Sequence, residues 1–209
     1  MILEESDAKK LVDKILSYSK ADSASVSLSG SNSNNLRFAL NTVSTCGAID
    51  SVTARIQSNF GMKSGSVTIT GIDDETIEKG VRKSEEIAKL SPDNKEFMPP
   101  LEKQTGYLEV KEFFEDTANI TPQNISDKIS YAITKAEENN LISAGYFESE
   151  SSFNCIGNTN KLSAYNKSTY SKFSTTMRTK EGKGSSKIER SYADINLLNI
   201  KKFSDKVID

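Results

Sequence analysis

The chain has 209 residues, 35% hydrophobic and 27% charged, with 27 Lys and Arg against 29 Asp and Glu for a formal net charge of −2. That balance suits a soluble globular protein able to bury a core, and it offers no global attraction to nucleic acid. There is no histidine, so the usual zinc sites, Ser-His-Asp triads and Cys-His dyads cannot be built from these residues, since each needs an imidazole.

The N-terminus, M-I-L-E-E-S-D-A-K-K-L, is acidic where a signal peptide would be basic, and no apolar run approaches the roughly 18 residues of a membrane span. The expectation is a cytoplasmic protein with neither membrane nor nucleic acid as partner. Within Ser6 to Tyr18, Leu11, Val12, Ile15 and Leu16 have helical spacing, with Ser6 or Asp7 placed to cap. Ala24 to Ser29 alternates as a strand, S-G-S-N-S-N-N reads as a turn, and N-L-R-F-A-L-N-T-V-S follows as a strand whose Leu36, Phe38 and Leu40 share a core-facing side. Val43 to Ile56 and Gly65 to Thr70 continue the pattern around N-F-G-M-K-S-G, whose glycines suit a hairpin. Asp73 or Asp74 then starts a helix with Ile77, Val81, Ile87 and Leu90 on one side, ended at Ser91-Pro92.

From 92 to 120 periodicity weakens and three prolines gather, at Pro92, Pro99 and Pro100, as expected of a connecting segment. Thr121-Pro122 caps a helix with Ile125, Ile129, Ala132, Ile133 and Ala136 on one face. Ser143 to Asn154, Lys161 to Arg178 and Ser186 to Asp194 read as strands joined at G-N-T-N and K-E-G-K-G-S-S, and Leu197, Ile200, Phe203 and Val207 mark a last helix face running to Asp209. The fold class expected is α+β: antiparallel β meanders covered by helices, in two successive helix-plus-meander units. The domains expected are 1–91, a connection over 92–120, and 121–209.

Cys46 and Cys155 match neither a metal knuckle nor a disulfide framework and read as small buried or half-buried thiols. The pairs Glu85-Glu86 and Glu137-Glu138 are adjacent on helices rather than facing, as on a solvated side. Arg37, Asn41 and Arg178 are the candidate peptide-facing residues, since their donors match peptide carbonyls. For Arg37 and Asn41 the other reading is the solvent side of an edge strand, with the asparagine opening a turn. Gly182 and Gly184 read as hairpin glycines, because G-K-G-S lacks the strand-to-helix context of a phosphate loop.

Several phrases taken together resemble the N-terminal half of the TldD/PmbA family of metallopeptidase-related proteins, once described as modulators of DNA gyrase. They are N-L-R-F-A-L-N-T-V-S at 35–44, S-N-F-G-M-K-S-G-S-V-T-I-T at 58–70, K-S-E-E-I-A-K-L-S-P-D-N at 83–94 and E-F-M-P-P-L at 96–101. T-A-N-I-T-P at 117–122, S-A-G-Y-F at 143–147 and M-R-T-K-E-G-K-G-S-S at 177–186 follow in family order. The turns at 158–161 and 183–187 depart from the family pattern.

The resemblance implies a non-catalytic N-terminal region of a zinc-dependent metallopeptidase, a hydrolase acting in proteolysis, contributing to a subunit interface and substrate passage. In active members the zinc is held by an H-E-x-x-x-H helix and a later cysteine, downstream of everything here. The expectation is therefore an apparent truncation before the metal-binding domain, with no catalytic residue and no metal ligand in this chain and zinc belonging to the full-length parent. The partners implied are a family member, as homo- or heterodimer, and a peptide substrate. The alternative is a PmbA-like non-catalytic partner subunit, or a peptide-binding module without metal.

Overall fold

Glu5–Ser17 forms the first helix, α1, in the computed structural model, which describes residues 1–208. Its N-cap is Glu4, without a side-chain cap, rather than Ser6 or Asp7. Three strands follow, β1 (Ser23–Ala39), β2 (Thr42–Phe60) and β3 (Lys63–Ile69), then α2 (Asp74–Leu90), the single turn α3 (Glu115–Ala118) and α4 (Pro122–Glu138). The second meander is β4 (Leu141–Asn158), β5 (Ser163–Thr179) and β6 (Ser185–Tyr192), followed by a 3-10 turn at Ile195–Leu197 and α5 (Ile200–Ile208). Asp209, where the expected last helix ended, lies outside the described residues.

All six strands lie in one sheet, in the order β3-β2-β1-β4-β5-β6. The fold is α+β, and the two expected meanders are two runs of the same sheet that meet at β1 and β4. The compact units are not consecutive in the chain. One comprises Met1–Ser31, Asp50–Val110 and Ser152–Lys167, the other Asn32–Ile49, Lys111–Ser151 and Ser168–Asp209. The division runs through the long strands, whereas the order of helices and meanders suggested a break between 91 and 121.

In the first unit, Ala8, Val12 and Ile15 of α1 and Ile77 and Val81 of α2 pack with Val26, Leu28, Ala54, Ile56, Ile69, Phe153 and Cys155 from the strands. The α2 helix begins as its sequence requires, with the Asp73 carboxylate accepting the Thr76 N–H at 3.0 Å. Its buried face then departs from expectation. Ser84, Glu85 and Ala88 are buried while Leu90 is 79% exposed. The cause is Gly65 of β3, where a Cβ would collide with the backbone of Ser84 and Ala88. Small residues on both elements bring helix and strand close together, and the larger Leu90 is left outside.

Residues 30–34 are not a turn, since β1 runs through them. Gly30 is needed for close approach, because a Cβ there would meet the Phe153 ring. The chain reverses at Leu40-Asn41, both left-handed at φ 52° and 60°, as a two-residue hairpin requires. Leu40 therefore sits at the tip, 76% exposed, rather than beside buried Leu36 and Phe38.

In the second unit Leu36, Phe38, Phe147, Phe173, Met177 and Ile188 of the sheet pack against α4 and α5. Thr121 and Asn124 form a reciprocal capping box at the start of α4, and Ile125, Ile129, Ala132 and Ala136 are its buried stripe. Ile200, Phe203 and Val207 of α5 are buried in this core, so the last helix covers its own apolar face within the chain.

Candidate functional site

Alternation along β1, β4, β5 and β6 sends one set of side chains into the second core and the other to the opposite face. That outer face carries Arg37, Tyr146, Glu148, Lys172 and Glu189. The Arg37 guanidinium lies 5.2 Å from the Tyr146 ring centroid, an exposed cation–π contact worth about 0.5–1 kcal/mol. Lys172 Nζ reaches Glu189 Oε1 at 2.8 Å, and Lys187 approaches the same carboxylate at 3.3 Å. Donation from Lys172 and then from Lys187 lowers the Glu189 pKa, while burial first and Glu148 second raise that of the Tyr146 phenol. Glu150, next on the same side of β4, is raised by burial and then by the charge of Glu148.

These groups are cations, carboxylates and a phenol, of which Tyr146, Glu148, Glu150 and Lys172 are half-buried. None is a nucleophile beside a base.

The three sequence candidates have different surroundings. Arg37 is exposed on this face of β1 and Arg178 is exposed near the end of β5, where it pairs in register with Ser185. Asn41 is committed elsewhere. Its Nδ2 donates to Leu141 O at 2.9 Å, and its Oδ1 accepts the Ser143 N–H at 2.6 Å and the Ser143 hydroxyl at 2.8 Å. Its amide fastens the β1–β2 turn to the start of β4. Sequence reasoning missed Tyr146, although its position one residue before the core residue Phe147 places it on the opposite face.

Two further expectations change. Glu85 is 4% exposed rather than solvated. Its carboxylate pairs with Arg82 and accepts the Lys20 N–H at 2.5 Å, while Arg82 also donates to Tyr18 O. The carboxylate thus ties α2 to the chain leaving α1. Cys46 is exposed, whereas Cys155 is buried with a raised pKa, caused first by burial.

Among the described residues no three His, Cys, Asp or Glu side chains are grouped to hold a metal. No helix is long and apolar enough to cross a membrane.

No protein-family model matches the sequence, and no curated protein is significantly similar to it. Solved structures are similar in fold. TldE from Thermococcus kodakarensis is 14% identical at a TM-score of 0.84, with 96% of this chain and 46% of that one covered. A protein from Thermotoga maritima described as a modulator of a DNA gyrase is 13% identical at a TM-score of 0.83, with 96% and 46% covered. One from Bacteroides thetaiotaomicron described as a modulator of DNA gyrase is 17% identical at a TM-score of 0.79, with 100% and 49% covered. The chain spans about half the length of these proteins and shares their fold over nearly its whole extent.

Proposed function

We propose that this chain is the non-catalytic N-terminal region of a TldD/PmbA-type zinc-dependent metallopeptidase, forming part of its subunit interface and substrate passage. The observation that carries the reading is the match in fold to TldE over 96% of this chain and 46% of the other, in the half of the family that the seven ordered phrases resemble. The chemistry of the outer sheet face is consistent with it. Arg37 and Arg178 present donors suited to the carbonyls of an extended peptide, and hydrolysis belongs to residues outside this chain.

Two measurements test the reading. An H-E-x-x-x-H motif in the gene within about 100–200 residues beyond Asp209, one domain's length, supports a catalytic parent, and its absence overturns that version. Peptide affinity of the full-length protein should fall in Arg37→Ala and Arg178→Ala with the unfolding midpoint unchanged. An unchanged affinity removes both residues from the passage.

The alternative is a PmbA-like partner subunit that binds peptide or completes a heterodimer without chemistry. The sheet face of paired charges, with no reactive group among them, is compatible with it. Zinc content of the full-length protein separates the two: about one equivalent per chain supports the peptidase, and none supports the partner.

A further inference from the structure

We draw no further inference here: the strongest candidate, the edge of β2 over residues 42–49, which the ladder to β3 does not reach, is exposed throughout, and nothing in the structure shows what covers it.

Discussion

The Asn41 side chain accepts the Ser143 backbone N–H at 2.6 Å, joining positions 102 residues apart. Asn41 also adopts a left-handed φ of 60°, a conformation Asn tolerates better than most residues. Asn41→Ala should lose about 2 kcal/mol, combining lost hydrogen bonds with backbone strain. Asn41→Gly should lose about 1 kcal/mol, since glycine relieves the strain and leaves only the polar loss. Urea unfolding of the two variants separates the contributions, and equal losses would count against the strain component.

Leu40 at the same hairpin tip has φ 52° and is 76% exposed, so it bears left-handed strain without burying its side chain. Leu40→Asn should stabilise the fold by about 0.5–1 kcal/mol by giving the turn a residue suited to it. Thermal unfolding reads this directly, and a destabilised variant would show that the leucine makes a contact the backbone argument omits.

Gly145 in β4 has no room for a methyl group, because a Cβ would strike Ser174 O and the Phe38 ring. Gly145→Ala should cost about 2–3 kcal/mol as β4, β5 and the Phe38 side chain shift apart. Loss of second-core protection in hydrogen exchange should accompany it.

Glu85 and Arg82 should be strongly non-additive. Removing the carboxylate in Glu85→Ala leaves the Lys20 N–H without its acceptor and Arg82 without its counter-ion, at a cost of about 2–3 kcal/mol. The double variant with Arg82→Ala should lose less than the sum of the singles. Additive losses in a double-mutant cycle would mean the pair is not coupled.

Tyr165 sets an alkaline limit. Burial first and the charge of Glu4 second push its phenol from 10.0 up to about 12, and its hydroxyl donates to Leu3 O at 2.8 Å. A raised pKa means that the neutral form is favoured in the folded state. The stabilisation is complete below pH 10 and is lost as pH climbs towards about 12. Tyr165→Phe should be less stable at neutral pH, and its unfolding midpoint should fall less steeply across that window.

Local chemistry made several elements legible. The Asp73 cap, the Thr121-Pro122 start and the Ile125–Ala136 stripe depend on neighbours within a few turns, and the sequence prescribes each. What it did not display depends on residues far away. The Ser/Asn run at 30–34 has turn composition, yet β1 continues through it, and Gly30 makes room for a ring 123 residues further on. Glu85 resembles any helix-surface acid until Lys20 and Arg82 surround it. Arg37 was legible as a surface residue, but Tyr146 beneath it was not, since only the pairing of distant strands brings them together. Asn41 was legible as the asparagine of a turn, but its bonds to Leu141 and Ser143, far along the chain, were not.

The interleaving of the two units also constrains how the chain can be made and cut. In the first unit Thr159 N donates to Ala24 O at 3.0 Å, so that unit is incomplete until residues past Ser152 have emerged from the ribosome. A nascent chain ending near Val110 holds α1, α2 and β3 but lacks Phe153, Cys155 and Tyr165, which complete their core. Folding is therefore expected to wait for most of the chain and to proceed slowly, as distant pairings do. No single cut releases either unit whole, and a protein clipped in the irregular stretch near Gly106 should stay together until denaturant is added.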